Sequence, residues 1–182
     1  EYPESSQEFQ EIQGLKNTLE NNLAHDNKFF EAFDIAMSAA EQTRIQSLTM
    51  FMKQYPLAVY PRCEKEFRQA ERERSRLIKL VNDNILAARQ GNDYSEAGIS
   101  AIERIARIKR LLETLSAAAK TNPVDAEKYA EEISRLQLRA QTFEKDVLFE
   151  TEFNKVIGAP STGKLKKIHA FLTDSRFIPE NY

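Results

Sequence analysis

Four long stretches of this chain, residues 15–55, 62–90, 99–122 and 124–157, contain neither glycine nor proline. Nothing else narrows the fold as much. Sheets need frequent turns, and turns draw on Gly and Pro, whereas a helix needs such residues only near its ends. The 182 residues include five glycines and six prolines, and these gather at a handful of joints. The expected class is all-α.

Apolar spacing agrees. Phe9, Ile12, Leu15, Leu19 and Leu23 step by three and four, which predicts an amphipathic helix over about 6–24. The triplet His25-Asp26-Asn27 reads as an interruption with Asp26 as the next N-cap. Phe29, Phe33, Met37, Ala40, Ile45, Leu48 and Met52 then carry a helix to about residue 54. Pro56 and Pro61 end it, because neither can continue the helical hydrogen bonds. A helix over about 62–90 is closed by Gly91, and Ser95 is read as the cap of another, reaching about 120. Asn122, Pro123 and Asp125 form a start signal for a fourth, running to about 156. A short helix over about 163–172 follows. The expected architecture is an antiparallel four-helix bundle over 28–157. An additional acidic N-terminal helix (1–27) lies on or beside it, and a joint, short C-terminal helix and tail (158–182) complete a single domain.

The stretch "GAPSTGKL" at 158–165 resembles a phosphate-binding loop in its Gly and Lys spacing. Such a loop must follow a buried strand and carry a hydroxyl after the lysine. Here a long amphipathic helix precedes it, and Leu165 stands at the hydroxyl position. The expectation is a helix–loop–helix joint, with Gly158 as helix cap.

No set of residues suggests chemistry. Di-iron bundles need Glu-x-x-His pairs, but the two histidines, His25 and His169, follow Asn22 and Lys166 at that spacing. The single cysteine, Cys63, excludes an internal disulfide and a cysteine-based zinc site. Its neighbours Arg62 and Lys65 favour a lowered thiol pKa. A small residue packed beneath the proline-rich turn is the plainer reading, since no base accompanies it. No catalytic residue, cofactor or metal is expected.

Charge is more informative. Residues 1–34 carry eight acidic and two basic side chains. Lys65, Arg68, Arg72, Arg76 and Lys79 recur at helical spacing as one basic stripe, interleaved with glutamates. Arg104, Arg107 and Arg110, then Lys164, Lys166 and Lys167, add basic character downstream. Two apolar segments fall outside the helical pattern: Tyr55, Leu57 and Tyr60 in "YPLAVYP", and Phe177 and Ile178 in the tail. Such segments usually fold back as plugs on a bundle's ends, and otherwise offer partner contacts.

The leading expectation is therefore a non-enzymatic interaction protein that binds a protein partner, with a homodimer among the options. An anionic-surface binder, for membrane lipid or nucleic acid, using the basic stripe is the alternative. A small-ligand sensor with a pocket between helices is a third. No run of residues is long and apolar enough for a transmembrane segment.

Overall fold

The computed structural model describes the backbone of residues 3–177 and the side chains of residues 7–177. Among the described residues the chain is all-helical, without a strand. Its α-helices are α1 (Pro3–Ser38), α2 (Glu41–Gln54), α3 (Glu64–Gly91), α4 (Ala101–Thr121), α5 (Ala126–Ile157) and α6 (Ser161–Thr173). Short 3-10 turns at Pro61–Cys63 and Pro123–Asp125 lead into α3 and α5. The chain divides into two compact units. One holds α1, α2 and α3 up to Asn82, with residues 120–124; the other begins at Asp83 and holds the rest of α3, most of α4, α5 and α6.

The expected interruption at 25–27 does not occur, and α1 runs through it as one helix. Asp26 serves as an ion-pair partner instead of a cap, with its carboxylate 3.2 Å from the Arg62 guanidinium. The His25 ring stacks on Tyr60 at 4.2 Å. Polar residues there hold α1 to the 55–63 turn while leaving its backbone helical. The break falls at Ala39-Ala40. The Ser38 hydroxyl donates back to the Asp34 carbonyl at 2.7 Å, and Ala40 turns extended with ψ 148°. Arg44 donates to the Ala39 carbonyl at 2.9 Å, closing the end of α1 with a charge of the favoured sign.

That break folds α1 and α2 into a helical hairpin. Its core is aromatic: Phe29, Phe33, Ile45, Leu48 and Phe51 are buried together with Cys63, Ala70 and Leu77. Phe29 lies 5.0 Å from Phe51, 5.4 Å from Tyr60 and 6.1 Å from Tyr55, ring centre to ring centre. Polar links then fix α3 to α2. Arg74 donates to the Thr49 hydroxyl at 2.9 Å. Glu73 accepts two bonds from Arg76 at 2.8 and 2.9 Å, with Arg44 of α2 3.8 Å away.

The Arg76 hydrogen bonds, with the Arg76 and Arg44 charges, hold the Glu73 carboxyl below its ordinary 4.5 against the opposing effect of burial. A depressed acid stabilises the fold above its unfolded pKa, and that contribution disappears as pH falls through the folded value. Glu73→Gln should therefore cost roughly 1 kcal/mol near neutrality. It should also flatten the acid limb below pH ~5, as followed by thermal melts across pH.

In the second unit the buried positions are Ile85, Ile108, Leu111, Leu115, Ala118, Tyr129, Leu136, Ala140 and Val156. Ser95 does not cap α4. It donates from its backbone N–H and its hydroxyl to the Asp93 carboxylate at 2.9 and 2.6 Å, making a local turn. Gly98 follows with φ +83°, a conformation that favours glycine. Only then does Ser100 accept the Glu103 N–H at 3.2 Å and start the helix. α5 ends at Gly158, whose N–H donates to the Asn154 carbonyl at 2.9 Å, and it packs on α6.

Candidate functional site

The basic stripe lies along the first four turns of α3, and all five of its members are exposed. Two of them are tied to carboxylates. Arg68 sits 2.9 Å from Glu71 and 3.7 Å from Glu64, while Arg76 is held by Glu73. Lys65, Arg72 and Lys79 carry no ion pair among the described residues. With two of its five cations paired, the stripe is an exposed face with three free cations.

Of the downstream basic residues, Arg104, Arg107 and Lys164 bind backbone carbonyls, whereas Lys166 and Lys167 are exposed. Arg104 donates to the carbonyls of Tyr94 and Glu96, and Arg107 to the Asp93 carbonyl at 2.7 Å and the Glu96 carboxylate at 2.5 Å. They lace the 93–96 loop onto α4. Lys164, the lysine of the loop-like motif, donates to the Ile157 carbonyl at 2.9 Å, capping α5. The 158–165 stretch is thus a helix end, a short joint and a helix start, as its sequence led one to expect.

The apolar segments pack inward. Tyr55, Leu57 and Tyr60 are half-buried, and the two tyrosine rings stack around Phe29 and Phe51. Phe177 is half-buried too, 4.9 Å from Phe171 and 5.8 Å from Phe149. Ile178 lies outside the described residues. Beneath the first of these plugs, Cys63 is buried, and its thiol is pushed up by burial first and then by the Asp26 and Glu66 carboxylates. The lowered thiol expected from Arg62 and Lys65 is therefore reversed. A raised thiol contributes stability below pH ~9 that is lost as pH rises through the folded value. A colourimetric thiol reagent at pH 8 should react with Cys63 only as fast as the protein unfolds, and a burst in native buffer would contradict this placement.

The surface the sequence does not single out is α1 itself. Every side chain from Gln7 to Asn21 is exposed. Phe9, Ile12, Leu15, Leu19 and Leu23, expected to pack against the bundle, are each 63–66% exposed. They line up on one face of about 22 Å of helix, beside Glu8, Glu11 and Glu20. Lys16 is the only cation among the described residues of this span, and it lies 3.7 Å from Glu20. A second apolar face appears on α6, where Leu165 and Leu172 are 81% and 70% exposed. They sit one heptad apart on a helix with three lysines and no carboxylate.

An open cleft of about 680 Å³ lies between the end of α3, the 92–95 loop and α5. Arg89 and Glu132 bind each other there, at 2.5 and 3.1 Å. Lys128, Arg135 and Arg139 line the same cleft without an ion pair among the described residues. No signal in the sequence separates these three cations from the many paired ones. Among the described residues no three His, Cys, Asp or Glu side chains converge on a metal-sized site. No helix of the described residues is long and apolar enough to cross a membrane. No protein-family model, curated protein or solved structure matches the sequence.

Proposed function

We propose that this chain is a non-enzymatic interaction module whose docking element is the first six turns of α1. The observation that carries the proposal is the row of five large apolar side chains left exposed on one face of that helix. Most of a helix's stability in a protein comes from packing of its apolar face, which this segment lacks. Gly14, with open space around it, weakens it by about a further 1 kcal/mol. A segment of this kind gains its stability from whatever covers its apolar face, and its acidic flanks favour a partner with basic ones. The aromatic hairpin of α1 and α2 is then the rigid base on which the docking helix is mounted.

A photo-activatable phenylalanine analogue at residue 19 tests this in cells, with the same analogue at Asn21, on the opposite face, as the control. The expected result is a discrete protein adduct from position 19 and none from 21. Equal labelling from both faces, or no adduct from 19, would remove the proposal.

A second reading, anion binding, has Lys128, Arg135 and Arg139 in its favour beside Lys65, Arg72 and Lys79. It requires retention on anionic vesicles or on nucleic acid that weakens steeply with salt. No retention at low salt ends it. The antiparallel four-helix arrangement belongs among the proposals as well, supported by the short joints between successive long helices. Distances between spin labels placed on those helices would check it.

A further inference from the structure

Resting on that reading of α1, we infer that its occupant is α6 of a second copy of this chain. Two of the exposed apolar faces among the described residues are complementary. The α1 face is a long apolar row with Glu11 and Glu20 at its borders and Glu8 in line with it at its N-terminal end. The α6 face is a shorter row, Leu165 and Leu172, on a helix whose only charged residues are Lys164, Lys166 and Lys167. On α6 a different face is occupied, about 100° around the helix from these leucines, where Phe171 packs on Phe149, Phe153 and Phe177. The leucines are therefore directed outward, with Lys166 exposed beside them.

Pairing α1 with α1 is the weaker arrangement. It brings two acidic helices together and places Lys16, near the middle of the row, close to its own copy in the symmetric registers. The α3 stripe is a weaker acceptor too, because two of its five cations are already neutralised and it presents no row of exposed leucines. Opposite charges beside desolvated leucines set register and steer encounter.

The contact is heterologous: the surface given by one copy differs from the surface it receives. An unclosed array therefore keeps a free α1 at one end and a free α6 at the other, and growth continues with concentration. Two short helices bury roughly 1,000 Å² between them, at the small end of specific interfaces.

Sedimentation equilibrium of the full chain, with two charge-bearing variants, decides the matter. Variant one is Leu15→Glu with Leu19→Glu, and variant two is Leu165→Glu with Leu172→Glu; all four side chains are exposed, so neither touches the core. Circular dichroism confirms that each is folded. Wild type should rise above 21.0 kDa with concentration and return toward it in roughly 0.5 M salt. Each variant alone should stay monomeric. Their equimolar mixture should form a complex of twice the monomer mass and stop there, because the intact α1 of variant two meets the intact α6 of variant one.

A monomeric wild type, or a mixture that stays monomeric, overturns the inference. Self-association of variant two also overturns it, in favour of α1 pairing with α1. An adduct from position 19 to a different protein, with a monomeric wild type, would sink the α6 assignment and leave the docking role of α1 standing.

Discussion

Phe29→Ala should cost about 3–5 kcal/mol and remove most of the thermal stability of the α1–α2 hairpin. Phe29 is fully buried, and its ring has four aromatic neighbours within about 6 Å: Phe30, Phe51, Tyr55 and Tyr60. Deleting it leaves a void beneath the 55–60 turn, and Phe51, Tyr55 and Tyr60 are held by contacts to one another. The loss is a large share of the roughly 5–15 kcal/mol that holds a domain together. Urea melts followed by near-ultraviolet circular dichroism measure it, and a change below about 1 kcal/mol would mean that the cluster is not the keystone of this unit.

The second large effect concerns association and leaves stability almost untouched. Leu15→Glu with Leu19→Glu should change the unfolding free energy by no more than about 0.5 kcal/mol, as surface substitutions generally do. The same pair should abolish any self-association. The pairing of those two results is what discriminates. Were the row packed against the rest of the chain, two buried charges would cost several kcal/mol and the protein would melt far earlier. Urea midpoint and sedimentation mass, measured on one preparation, report both.

Where the sequence misleads, local chemistry explains why. The spacing of Phe9 to Leu23 reveals that the helix has an apolar face, but no helical period says what covers that face. His25, Asp26 and Asn27 resemble a cap because caps are polar. In the fold, His25 and Asp26 hold a distant turn through Tyr60 and Arg62, contacts invisible to local patterning. The start of α4 shifts from Ser95 to Ala101 because Asp93 captures Ser95 first, and Gly98, at positive φ, was the available clue. Arg104 and Arg107 of α4 look like a basic surface in composition and turn out to bind backbone carbonyls of the adjoining loop.

By contrast, α3, α5 and the 158–165 joint were legible. There Pro61, Pro123, Gly158 and Pro160 act on their own neighbours, and local chemistry suffices. Tyr55 and Tyr60 were legible only as plugs or contacts, and the aromatic cluster assigns them to the first role.

Amide hydrogen exchange of the dilute monomer tests the central claim most directly. Residues 7–24 should exchange as an isolated, marginal helix does, orders of magnitude faster than residues 29–38 of the same helix, and should slow when the chain is concentrated or its partner is added. Protection of 7–24 equal to that of 29–38 in the dilute monomer would contradict the account, because the apolar row would then already be covered.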